Sequence, residues 1–165
     1  MSNFDKVVDF NKTFGVTVHD KPQQNIFTED PKLVDLRMKL IIEEVEELKE
    51  AVNNHDMKET IDALSDILYV VYGAGASFGI DLDKTFDMVH QSNMSKVCKN
   101  EDEADKTVQW YKDNSESYNE KNPAQAPVDP AWRIINGKYV VYNRLTGKVL
   151  KSVNYNPVDF KTYLS

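Results

Sequence analysis

Two long helical stripes whose apolar faces are broken by carboxylates constrain this chain more than any other feature. In the first, Leu33, Leu36 and Leu40 are followed by Glu43 and Glu47, and the adjoining stripe runs Leu33, Arg37, Leu40, Ile41, Glu44, Leu48. In the second, Asp62 and Asp66 interrupt Ile61, Leu64, Ile67, Leu68, Val70 and Val71. Positions three and four apart are neighbours on a helix, so these acids continue faces that are built to be buried. A carboxylate withdrawn from water is costly without a partner. Several together must raise their pKa values or hold cations.

Local punctuation delimits the two helices. Asp30 is a fitting N-cap before Pro31, a good first helical residue, and the pattern runs to about Val52. Asp56-Met57-Lys58-Glu59 reads as a capping box opening the next helix, which runs to about Phe78 with Gly79 as C-cap. Residues 53–55 leave a short connection, so the helices are expected to pack antiparallel. Glu44 and Glu47 then come level with roughly Asp66 and Asp62. These four are the candidate metal ligands, and their hard oxygens suit Mg²⁺, or Mn²⁺, and hence phosphate chemistry. Glu46 and Glu50 read as solvated, and Glu59 as the capping acid. A di-iron bundle would need two Glu-x-x-His pairs, and none of the three histidines lies three residues after a glutamate.

Two further helices frame this pair. One covers about Asn3 to Phe14 and ends at Gly15; the other runs from about Leu82 to Val97, capped by Asp81. From Ile67 to Ile80 the chain carries no charge and is apolar nearly all round, which predicts a central buried helix. Asn93 and Lys96 are three apart on or beside the inner face of the last helix. Lysine is a useful point charge for a phosphate, although spacing alone allows an ordinary surface residue. Arg37 could pair with a carboxylate or with a substrate phosphate.

The expected fold class is all-α, an antiparallel four-helix bundle over residues 1–98 with an extension over residues 99–165. The extension is polar, with a short helix over Ala104–Tyr111 and three prolines between Asn122 and Pro130. Lys138–Tyr142 and Lys148–Leu150, flanking Leu145-Thr146-Gly147, predict a small β-hairpin. An isolated hairpin is marginal, so it is expected to pack on the helical body or on a partner subunit.

Composition limits the partners. The net charge of -7 argues against a nucleic-acid footprint, which needs a clustered basic surface. No apolar run approaches the roughly 20 residues of a membrane span, and Met1-Ser2-Asn3-Phe4-Asp5 has no signal pattern. The single cysteine, Cys98, cannot form an internal disulfide, so a reducing cytoplasmic setting is expected.

Glu43-Glu44-Val45-Glu46-Glu47-Leu48 followed by Asp62-Ala63-Leu64-Ser65-Asp66-Ile67-Leu68-Tyr69 resembles the all-α nucleoside triphosphate pyrophosphohydrolases, a superfamily that includes MazG proteins, phosphoribosyl-ATP pyrophosphohydrolases and dimeric dUTPases. Phe10-Asn11-Lys12-Thr13-Phe14-Gly15, Tyr72–Leu82 and His90-Gln91-Ser92-Asn93-Met94-Ser95-Lys96 resemble further stretches of the phosphoribosyl-ATP pyrophosphohydrolase-like branch. The resemblance implies Mg²⁺-dependent cleavage of a nucleotide between its α- and β-phosphates, giving a monophosphate and pyrophosphate. It implies a Glu-Glu-x-x-Glu motif at Glu43, Glu44 and Glu47, the candidate catalytic residues, and a second motif ending at Asp66. The glutamate of that second motif falls on Ala63, with Asp62 one residue earlier; Glu59-Thr60-Ile61-Asp62 fits the motif literally but uses the capping acid. Asn93, Lys96 and Arg37 are the candidate substrate contacts. A homodimer or homotetramer is expected, because two carboxylate-bearing helices cannot enclose a base alone. The alternatives are hydrolysis of phosphoribosyl-ATP itself and a non-catalytic nucleotide-binding helical protein.

Overall fold

The computed structural model describes all of Met1–Ser165. It is mostly helical, and the chain divides into two compact units, Met1–Phe86 with Leu164, and Asp87–Tyr163 with Ser165. The division falls inside a helix, α5 (Leu82–Met94).

The first unit is built from α1 (Asn3–Thr13), a short α2 (Ile26–Glu29), α3 (Pro31–Asn53) and α4 (Met57–Phe78). α3 and α4 share the largest helix–helix interface, and α1 packs on α4. The ends are set by the residues that satisfy orphan backbone groups. Ser2 Oγ accepts from the Asp5 N–H at 3.1 Å while Asp5 Oδ2 accepts from the Ser2 N–H at 2.9 Å, a reciprocal capping box. Asp30 accepts from the Leu33 N–H at 3.1 Å, and Asp56 from the Glu59 N–H at 3.1 Å. The reciprocal bond expected of Glu59 is not made; its Oε1 pairs with Lys58 Nζ at 2.9 Å. Gly79 closes α4 with φ +74°, a left-handed conformation that favours glycine, and a Cβ there would collide with the Lys21 carbonyl.

Burial along α4 corrects the expectation of a helix buried all round. Gly73 to Ser77 are buried, but Ile61, Leu64, Leu68 and Val71 form an exposed stripe at helical spacing, with Leu68 56% exposed. The loop before α2 covers the buried end. Ser77 Oγ donates to the Thr17 carbonyl at 2.9 Å, and His19 Nδ1 bonds the Ser77 carbonyl at 2.6 Å, which makes that nitrogen the donor.

The second unit holds α6 (Glu101–Asp113), α7 (Ser115–Lys121), a 3₁₀ turn over Pro123–Gln125, and strands β1 (Pro130–Ile135) and β2 (Lys138–Asn143). The strands pair antiparallel, from Pro130 opposite Asn143 to Ile135 opposite Lys138. Asn136 and Gly137 make the turn with φ of 50° and 74°, the two left-handed residues that a tight hairpin turn requires. The predicted hairpin is therefore real, with a different partner: β2 pairs with Pro130–Ile135, and Val149 makes only an isolated bridge to Tyr142. α6 packs on both strands. Cys98, Ala104, Tyr111, Val141 and Leu150 form the core, with Trp132, Tyr139 and Tyr118 against it. Cys98 Sγ lies 3.6 Å from Thr107 Oγ1, and burial pushes its thiol pKa up, so it is a structural thiol here. A short α8 (Lys161–Leu164) ends the chain. No single helix is long and apolar enough to cross a membrane.

Candidate active site

The register of α3 on α4 decides which acids meet. Arg37 Nη1 lies 3.2 Å from the point that a Cβ on Gly73 would occupy, so Arg37 and Gly73 are level. Two turns further along α3 stands Glu44, and two turns back along α4 stands Asp66. One more turn brings Glu47 level with Asp62 and Ala63. The small side chains of Ala51, Ala63, Gly73 and Ala74 are buried along these helices, and residues of that size allow close approach.

Glu44 carries the electrostatic signature of this convergence. One of its oxygens, Oε2, is shut away from solvent with no hydrogen-bond partner. Its pKa is pushed above the ordinary carboxylate range, first by burial, then by the charges of Glu47, Asp66, Glu43 and Asp62 in that order. None of these five acids takes part in an ion pair. A hollow of 320 Å³ opens beside them, lined by Glu47, Glu50, Asp56, Glu59, Asp62 and neighbouring small residues.

The hollow has further acids on its wall. Glu50 is exposed, in keeping with a solvated residue, and Glu59 is exposed too; both also line the same space as Glu47 and Asp62. The signal for Glu59 was the literal Glu59-x-x-Asp62 spacing; Glu50 stands three residues after Glu47, on a neighbouring face. Ala63 is buried in the helical unit, 4% exposed, so the position that lacks an acid serves packing.

The residues match the chemistry of a hard divalent cation. The donors are carboxylate oxygens, none is neutralised by a lysine or arginine, and a buried one has no partner. In this structure no three of them close into a ready-made coordination shell.

Arg37 is buried, 6% exposed, among α1, α3 and α4, and pairs with no carboxylate. Its Nε and Nη2 have no partner, and burial holds its pKa below the usual guanidinium value. Asn93 and Lys96 belong to the second unit. Lys96 stands past the end of α5, not on it, and its Nζ donates to Asn93 Oδ1 at 2.8 Å.

Residues 7–93 match the family model described as phosphoribosyl-ATP pyrophosphohydrolase. The chain belongs to this family. The matched span contains α3, α4 and all five acids, so the clustered carboxylates are part of a pyrophosphohydrolase domain of the all-α nucleoside triphosphate pyrophosphatase superfamily. Membership implies pyrophosphohydrolase-type chemistry on nucleotides. The chain is also 31% identical to the uncharacterized protein L479 of Acanthamoeba polyphaga mimivirus, over 99% of this chain and 96% of that protein. That likeness extends through the second unit, most of which lies beyond the family match.

Proposed function

We propose that this protein hydrolyses a nucleoside or deoxynucleoside triphosphate between its α- and β-phosphates, releasing the monophosphate and pyrophosphate. The observation that carries this reading is the convergence of Glu43, Glu44, Glu47, Asp62 and Asp66 on one side of the α3–α4 pair, unpaired by any cation of the protein.

Glu44, Glu47, Asp62 and Asp66 would hold Mg²⁺ or Mn²⁺, which neutralises phosphate oxygens and the charge developing on the leaving pyrophosphate. A glutamate of the Glu43, Glu44 and Glu47 set orients the attacking water and accepts its proton. Arg37, with two nitrogens that no protein acceptor satisfies, meets outer phosphate oxygens. The exposed stripe Ile61, Leu64, Leu68 and Val71 is covered by a second copy of the chain, making a homodimer or a tetramer built from it. The partner helix then walls the hollow that one α3–α4 pair leaves open.

The test is a panel of every NTP and dNTP, with phosphoribosyl-ATP alongside, incubated with Mg²⁺ and resolved by chromatography. Equimolar monophosphate and pyrophosphate from a free nucleotide support the proposal. Turnover confined to phosphoribosyl-ATP moves the protein to the histidine-pathway reaction of its family name. Tight binding with no turnover makes it a non-catalytic nucleotide-binding protein.

A further inference from the structure

We infer that the second unit carries a binding site of its own for a mononucleotide, an aromatic base joined to a phosphate. The site is a cleft of 380 Å³ whose walls include Lys96, Trp110, Tyr118, Lys148 and Lys151, inside the range of small-molecule pockets. This inference rests on the second unit alone and goes beyond the hydrolytic reading.

Charge is the first argument. The protein carries a net charge of -7, yet three of its lysines line this cleft and no carboxylate does. None of the three is neutralised: the ion pairs of the molecule use Lys39, Lys49, Lys58, Lys84, Lys106 and Arg144. Lys96 Nζ bonds the Asn93 carbonyl oxygen, and Lys151 Nζ stands 4.7 Å over the ring of Tyr155, a neutral partner. Three unpaired ammonium groups around one cavity call for an anion, and a phosphate accepts from several at once.

The rings are the second argument. Trp110 packs edge-on to Tyr111 at 5.0 Å, and Tyr111 packs edge-on to Tyr118 at 5.1 Å. Tyr111 is buried, and its hydroxyl is consumed by the backbone of Lys151, donating to the carbonyl at 3.2 Å and accepting from the N–H at 3.0 Å. This pair of hydrogen bonds ties the backbone of the lysine-bearing segment to α6. Trp110 is 48% exposed, which leaves indole surface for a base to stack on. A second hollow of 320 Å³ adjoins the cleft across Trp110, Tyr111 and Lys151, giving room on both sides of that junction.

The experiment is calorimetric titration of AMP into the full-length protein in EDTA, so that the acidic site is without metal, with ribose 5-phosphate and adenosine as half-ligands. AMP is expected to bind at one site per chain. Each half-ligand should bind at least about fivefold more weakly, since base stacking and charge-assisted bonds are each worth about 1 kcal/mol or more. Lys148→Gln combined with Lys151→Gln should weaken AMP binding about tenfold, Trp110→Ala by about fivefold or more, and Glu47→Gln should leave it unchanged. Both lysines are exposed, so the double variant should retain the far-UV spectrum of the parent. The inference is overturned if AMP does not bind, or if Glu47→Gln abolishes binding that the lysine variant retains. It is equally overturned if a short single-stranded oligonucleotide binds more than about tenfold tighter than AMP, which would make the cleft a nucleic-acid groove.

Discussion

The two units solve the problem of a small core in opposite ways. The second closes on itself: Ala104, Val141 and Leu150 are essentially inaccessible, and α6 covers the hairpin that would be marginal alone. The first buries mainly small or polar residues, Ala51, Ala63, Ala74, Ala76, Asn11 and Arg37, while Ile61, Leu64, Leu68 and Phe86 stay open. Buried polar atoms without a partner occur in both units, at Asn11, Arg37 and Glu44 in the first and at Glu103 in the second. In the proposed function a cation would match the acids of α3 and α4 and a second subunit would cover the apolar stripe. The second unit lies largely outside the family match, and the first carries most of it.

The largest expected effect concerns assembly. Light scattering should give the wild-type protein a mass of at least a dimer, and Leu68→Glu should reduce it to the monomer mass while leaving the helical spectrum intact. A monomeric wild type would break the contrast between the units. Core deletion comes next. Leu150→Ala in the second unit should cost roughly 2–5 kcal/mol in denaturant melts. Leu64→Ala, 49% exposed, should cost less than about 1 kcal/mol in the monomeric Leu68→Glu background, as surface substitutions do. Equal losses would show that the stripe is buried within one chain.

Two glycines sharpen the comparison further. Gly79 and Gly137 share φ of +74°, but a side chain at Gly79 meets the Lys21 backbone while nothing lies within 4 Å at Gly137. Gly79→Ala should destabilise by about 2–4 kcal/mol and Gly137→Ala by about 1 kcal/mol. Differential melts of the two variants check this order.

The smallest effect is in pH, with opposite signs. In metal-free protein the raised pKa of Glu44, faced by Glu47, Asp66, Glu43 and Asp62, gives stability that is present below its unfolded value. That stability is lost as pH rises through the folded value, so acidifying from neutral should raise the melting temperature relative to Glu44→Gln. Asp129, held low by the Arg144 guanidinium at 2.7 and 2.8 Å, behaves oppositely. Its contribution is present above the unfolded value of 3.8 and lost as pH falls through the folded one, relative to Arg144→Ala.

Much of the first unit was legible because its boundaries are chemical. Asp30, Asp56 and Gly79 mark helix ends by bonds that their side chains or conformations make locally. The opposition of the acids followed from helix period and a short connection. What was not legible is exposure: Ile61, Leu64 and Leu68 have the same period whether or not this chain covers them. The hairpin was half-read because Lys138–Asn143 alternates clearly, whereas its partner opens on Pro130 and carries Arg133. Asn136-Gly137 was the stronger turn signal, and it fixes the register. Lys96 was placed on a helix because no glycine or proline marks the break after Met94.

The central claim is that the acids of α3 and α4 catalyse release of pyrophosphate. The most direct test measures pyrophosphate formed from the best nucleotide of the panel by wild type, Glu47→Gln and Asp66→Asn, each with Mg²⁺ and with EDTA. The account predicts turnover in wild type with Mg²⁺ only, and a loss of at least about 100-fold in each variant, the scale of removing a group that acts on transition-state charge. Pyrophosphate release that persists in EDTA, or that survives both substitutions, would contradict it.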